Sequence, residues 1–149
     1  MSESKDEDAL VDLLGLLEQV DDDVEFGVEL MGDAMSEFGT YISNMKASIE
    51  KRSSASFDEL RVAAHSIKGV LSNLQMLRMQ DVSRIFEAWA TSAMKMDLQG
   101  DAKDEAFEEA RRQFDDVVAI HGDLEVFAED IAEKLERALK KKHSDSDAK

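Results

Sequence analysis

The segment Leu60–Leu74, LRVAAHSIKGVLSNL, sets a lysine three residues after a histidine and a glycine directly after that lysine. On a helix at about 100° per residue, with Leu60 at zero, Ala64, Ile67, Leu71 and Leu74 fall within roughly 40° and form an apolar stripe. Arg61, His65, Lys68, Gly69 and Ser72 fall between roughly 80° and 180°, off that stripe. The spacing thus predicts an exposed His65 with Lys68 on the same face. An imidazole whose ordinary pKa is near ~6.5 offers a neutral, nucleophilic nitrogen at physiological pH. A lysine at i+3 can neutralise phosphoryl oxygens as charge shifts onto them. Glycine inside a helix costs roughly 1 kcal/mol against alanine, so Gly69 calls for a packing or access reason. A bare patch beside the histidine would let a partner's active site approach for in-line transfer.

Charge is unevenly spread around this segment. From Arg61 to Arg84 there are four basic residues, Arg61, Lys68, Arg78 and Arg84, against Asp81 alone, a net of +3. The whole chain carries −16, which leaves −19 on the rest. A basic patch on an acidic protein suggests docking onto a partner's carboxylates.

The elements that must position His65 are helices. The 149 residues include no proline and seven glycines, which suits long helices better than a many-turned sheet protein. Periodicity predicts a first helix over Glu7–Val20, through Leu10, Leu13, Leu14, Leu17 and Val20. After a capping run Asp21–Asp23, a second helix carries Val24, Val28, Met31, Met35, Phe38, Ile42, Met45 and Ile49 at alternating spacings of four and three. Ser56 is expected to cap a third helix ending near Leu71. The fourth spans Leu74–Met96, with Val82, Ile85, Phe86, Trp89, Ala93 and Met96 inward. Asp97–Lys103 is the loop candidate. A last helix over Asp104–Lys142 either breaks near His121 and Gly122 or projects beyond its neighbours, since at ~1.5 Å per residue it would reach nearly ~60 Å. Residues 143–149 read as a disordered tail, and 1–142 as one domain.

The run His65-Ser66-Ile67-Lys68-Gly69, followed by Asn73 and Leu74, resembles the phosphorylation motif of histidine-containing phosphotransfer (HPt) domains. Its wording is also similar to the phosphotransfer domain of chemotaxis histidine kinases. Ile85-Phe86-Glu87 falls where such domains commonly carry a hydrophobic–Glu pair, while Val70, Gln75 and Met76 stand where the family often has small residues. The resemblance covers about Asp22 to Met96. It implies an all-α fold, an antiparallel four-helix bundle with a short extra N-terminal helix and a long C-terminal one.

It further implies that His65 carries a phosphoryl group between receiver-domain aspartates in a two-component phosphorelay. Lys68 would stabilise the group and Gly69 would give access. Arg61, Ser72, Asn73, Gln75, Met76 and Arg84 are candidate partner contacts. The protein would be a phosphocarrier with no ATP-dependent kinase activity and no cofactor of its own, the Mg2+ belonging to the partner receiver or histidine kinase. Two alternatives stand beside this reading: a detached substrate domain phosphorylated by a partner kinase, and a scaffold that binds receivers without taking phosphate.

Other classes find less support. The acidic balance opposes nucleic acid and anionic membranes. No run approaches the roughly 18 apolar residues of a membrane span, and MSESKDEDAL lacks a signal peptide's apolar run. With no cysteine, the composition fits a cytoplasmic protein. A monomer is favoured over a dimer. Asp21, Asp23 and Glu25 have Phe26 where a calcium loop needs glycine, and in the run from Asp97 Ala102 takes that place. Three dispersed histidines offer no metal spacing, so no metal site is expected. His121 falls on the apolar seam and reads as a hydrogen-bonded boundary residue.

Overall fold

In a computed structural model, residues 11–72 and 77–147 are described, and they form six helices with no strand among them. These are α1 (Leu13–Gln19), α2 (Val24–Lys51), α3 (Ser56–Ser72), α4 (Leu77–Met94), α5 (Gly100–Ala128) and α6 (Ile131–Asp147). Helices α2 to α5 form the bundle: α3 packs between α2 and α4, and α5 closes the ring against both. Short connections make chain neighbours antiparallel, as the sequence predicts.

Capping sets the first two helices. Asp12 Oδ1 accepts from the Gly15 amide at 3.0 Å, and Asp23 Oδ1 accepts from the Phe26 amide at 3.1 Å. Between them Asp21 and Asp22 take φ of 53° and 62°, a region aspartate tolerates better than most residues. The predicted start of α1 at Glu7 lies outside the described residues. Leu14, predicted inward, is exposed, because a helix this short buries a single patch, Leu16 and Leu17 followed by Val20.

Helix α2 follows its predicted seam, with Met31, Phe38, Met45 and Ile49 buried and Val24, Val28, Met35 and Ile42 packed at the core's edge. Its C-cap Arg52 is left-handed, at φ 52° and ψ 38°. Ser56 does not cap α3 as expected. It is the first residue of that helix, fully buried, and its hydroxyl donates to the Ser48 carbonyl at 2.7 Å while accepting from the Ser53 amide at 2.9 Å. The hydroxyl therefore staples the turn to α2. Leu60, Ala64 and Ile67 are fully buried on α3, the stripe the spacing predicts.

On α4 the core stripe is Met79, Ser83, Phe86, Ala90 and Ala93. Ile85 and Met96, predicted inward, are 55% and 62% exposed. Ile85 sits about 100° round the helix from Phe86, and Met96 lies past the helix end. Phe57, Trp89 and Phe107 tie α3, α4 and α5 together, Phe57 lying 5.7 Å from Trp89 and 4.8 Å from Phe107 between ring centres. Burial of each large apolar side chain contributes about 1.5–3 kcal/mol.

The end of the chain differs most from expectation. The predicted loop Asp97–Lys103 is shorter, because α5 starts at Gly100, whose φ of +56° suits glycine. The helix then runs unbroken through His121 and Gly122. Ile120 and Leu124 are buried on either side, and His121 packs 4.5 Å from the Phe38 ring with Nδ1 3.1 Å from Glu125 Oε1. The interruption falls at Glu129 and Asp130 instead, so α6 neither continues α5 nor projects freely. It folds onto α1 and α2, burying Ile131 and Leu135. Gly27 permits the approach, since a Cβ there would lie 3.0 Å from Leu135 Cδ1. Lys142 Nζ donates to both carboxylate oxygens of Asp22, at 2.9 and 3.1 Å. The helix extends to Asp147, so residues 143–147 are helical where a disordered tail is expected.

Candidate functional site

The hairpin α3–α4 presents His65. Its side chain is 64% exposed, in keeping with its position off the stripe of Leu60, Ala64 and Ile67. The ring does not stand alone. Nδ1 lies 2.9 Å from Glu87 Oε1 across the hairpin, and Lys68 Nζ lies 3.0 Å from Glu87 Oε2. One carboxylate on α4 thus binds both the histidine and the lysine of α3.

Glu87 sits beside the fully buried Phe86 and is itself largely covered. Burial pushes its carboxyl pKa up, but hydrogen bonds and charge from Lys68 and then His65 outweigh this and hold it below 4.5. At neutral pH it is a carboxylate, which can only accept. Nδ1 of His65 is therefore the protonated nitrogen, and Nε2 of the neutral ring carries the lone pair. Nε2 has no partner among the described residues, and it lies on an exposed side chain. A carboxylate fixing the tautomer of an imidazole whose far nitrogen is free is a general way of presenting a nucleophile. Lys68 lies on the same face, where its charge can meet an incoming anion.

Gly69 is exposed, and a Cβ added there would meet nothing within 4 Å. Packing among the described residues therefore does not explain the glycine. Arg61 and Arg84 flank the site but are engaged: Arg61 Nη2 lies 2.8 Å from Asp58 and Arg84 Nη2 3.7 Å from Asp81. Widening the stretch to Asp58–Glu87 adds Asp58, Glu59 and Glu87 and brings its net charge from +3 to zero. Arg61, Lys68 and Arg84 thus each have a carboxylate beside them, Asp58, Glu87 and Asp81, which offsets their charge locally. Ser72 ends α3. Asn73, Gln75 and Met76 lie outside the described residues.

Glu87 received no role from the sequence, yet it organises the site. The signal was present in the hairpin's geometry. His65 lies seven residues before the end of α3 and Glu87 ten after the start of α4, so both stand roughly two to three turns from the connection. Thr91, one turn on, donates its hydroxyl to the Glu87 carbonyl at 2.8 Å. Among the described residues no group of three or more His, Cys, Asp or Glu could hold a metal ion, and no helix is long and apolar enough to cross a membrane.

A family model described as Hpt domain matches residues 29–120, from the second turn of α2 into α5. A search of curated proteins and a search of solved structures each give no match. Hpt domains are phosphocarriers without kinase activity and interact with receiver domains and kinases. The matched span covers more than half of the chain and holds His65, Lys68, Gly69 and Glu87 together: the chain belongs to the Hpt domain family, whose members perform histidine phosphotransfer in two-component phosphorelays.

Proposed function

We propose that His65 is the phosphorylated residue and that the chain shuttles a phosphoryl group between receiver-domain aspartates. The observation that carries this reading is the tethering of Nδ1 by Glu87, which leaves Nε2 exposed with its lone pair. In the transfer, Nε2 attacks the phosphorus of a receiver's aspartyl phosphate. The N–P bond forms as the acyl P–O bond breaks, and the aspartate leaves as a carboxylate. The ring becomes a phosphoimidazolium that keeps its proton on Nδ1, where Glu87 offsets the positive charge. Lys68 neutralises the phosphoryl oxygens, and Gly69 leaves room for the receiver. Passing the group to a second aspartate reverses these steps. The Mg2+ belongs to the partner receiver or kinase in this reading, and Arg61, Arg84, Ser72, Asn73, Gln75 and Met76 contribute to docking. The protein is read as a cytoplasmic monomer without kinase activity of its own.

The test offers the purified protein a radiolabelled phosphorylated receiver, beside its His65→Gln variant and a separate arm with a histidine kinase and ATP. Label on the wild type from the receiver, absent from His65→Gln with helical content unchanged, is the expected result. Label from kinase and ATP alone would make the chain a detached kinase substrate. No label from either donor would leave a receiver-binding scaffold.

A further inference from the structure

In the resting site Lys68 is already engaged. Its Nζ lies 3.0 Å from Glu87 Oε2, while Oε1 of the same carboxylate lies 2.9 Å from Nδ1 of His65. Oε2 is buried, and Lys68 is the one cation paired with it among the described residues. The lysine side chain is itself 35% exposed, so it has room to move without unpacking the bundle.

Phosphate on His65 makes a second demand on that lysine. The two ring nitrogens face away from each other, with Glu87 at the Nδ1 edge and the phosphoryl group forming at the Nε2 edge. A lysine held at Oε2 stands on the Glu87 side of the ring, so neutralising phosphoryl oxygens requires it to leave. Departure on its own would strand a buried carboxylate oxygen without a counter-charge, which is costly. The transfer supplies the replacement. As the Nε2–P bond forms and the acyl P–O bond of the receiver breaks, a ring that keeps its Nδ1 proton becomes a cation against Oε1. Before transfer, one carboxylate faces one ammonium and a neutral ring. Afterwards Glu87 faces the charged ring and the phosphoryl oxygens face Lys68, so each anion has its own cation.

On the reading that His65 is the phosphorylated residue, we propose that phosphorylation exchanges the partner of Lys68. Its ammonium leaves Glu87 for the phosphoryl oxygens, and the charged ring takes its place at the carboxylate. Glu87 is then a positioning residue for two groups. By holding Lys68 in the resting state, it lowers the share of phosphate that His65 keeps against a receiver's aspartate. The net contribution of the lysine is its attraction to the phosphoryl group less its attraction to Glu87, and the group stays transferable.

The readout is the equilibrium between a radiolabelled phosphorylated receiver and this protein, for wild type, Lys68→Met, Glu87→Gln and the double variant. Alone, Lys68→Met removes a phosphate contact and a resting ion pair together, and the two losses partly cancel. In the Glu87→Gln background only the phosphate contact is lost. Whatever Glu87→Gln does to the ring is common to both members of that comparison. Removing Lys68 should therefore lower the phosphohistidine share at least about three-fold more in the Glu87→Gln background than in the wild type. An equal or smaller effect there, with the wild type taking up label, would overturn the exchange alone. A second measurement needs no variant: the 15N resonance of Lys68 Nζ should move when the wild type is phosphorylated, and an unmoved resonance would also overturn the exchange. Failure of the wild type to take label from the receiver would overturn the phosphocarrier reading, and the exchange with it.

Discussion

At the residue scale, the proposed function rests on a division of labour between two sides of one imidazole. Glu87 takes Nδ1, and Nε2 is left exposed. His65, Lys68 and Gly69 were legible because helical spacing alone sets them off the buried stripe. Glu87 was visible only as part of the family's hydrophobic–Glu pair; its tie to His65 was not, because the two lie 22 residues apart and across a hairpin, where only the register of two helices brings them together. Two predictions belong here. Gly69→Ala adds a methyl that meets nothing within 4 Å, so the domain should gain about 0.5–1 kcal/mol in urea unfolding while losing phosphotransfer with its receiver. A loss of stability would instead give Gly69 a packing role. Glu87 has a pKa held below 4.5, so the stability it contributes is present above that value and lost as pH falls through the lowered one. The stability gap between wild type and Glu87→Gln should accordingly close on the acid side of about pH 4.5. A gap unchanged down to pH 3 would show that the carboxylate's charge has no part in it.

At the element scale, the sequence predicts the lengths of α2 and α3 closely because their apolar positions repeat without a miss and each is bounded by polar turns. For the last helix it offers a break near His121 and Gly122 or a projection beyond the bundle, and neither occurs. Gly122 looked like the breaker, but a glycine with helical neighbours interrupts nothing when Ile120 and Leu124 are both buried on the same seam. The break occurs where the chain must turn to lay Ile131 and Leu135 against α1 and α2, and that requirement is tertiary. Gly122→Ala tests the point. A Cβ there meets nothing within 4 Å, so the substitution should stabilise the protein by about 0.5–1 kcal/mol by thermal unfolding. Destabilisation would mean that the backbone at Gly122 needs a glycine's freedom.

At the scale of the whole molecule, the family match over residues 29–120 leaves α1, the start of α2, the end of α5 and α6 outside it. The flanking helices still share the core: Leu16, Leu17 and Leu135 are fully buried. The ion pair of Lys142 with Asp22 joins residues 120 apart in sequence. Of the cations the sequence counts as a basic patch, Arg61, Lys68 and Arg84 are paired with Asp58, Glu87 and Asp81. If α1 and α6 form one cooperative unit with the bundle, Leu135→Ala should cost about 2–5 kcal/mol and shift a single unfolding transition. Two separate transitions, with the bundle's midpoint unmoved, would show the flanking helices to be an independent layer.

The most direct test of the central claim asks which atom carries the phosphorus. Protein labelled with 15N in its histidines, phosphorylated by a receiver and held at alkaline pH, should show a single phosphorus resonance coupled to Nε2 of His65. Coupling to Nδ1, or phosphorus on His121 or His143, would contradict the account, because Glu87 would then not be presenting the nucleophile.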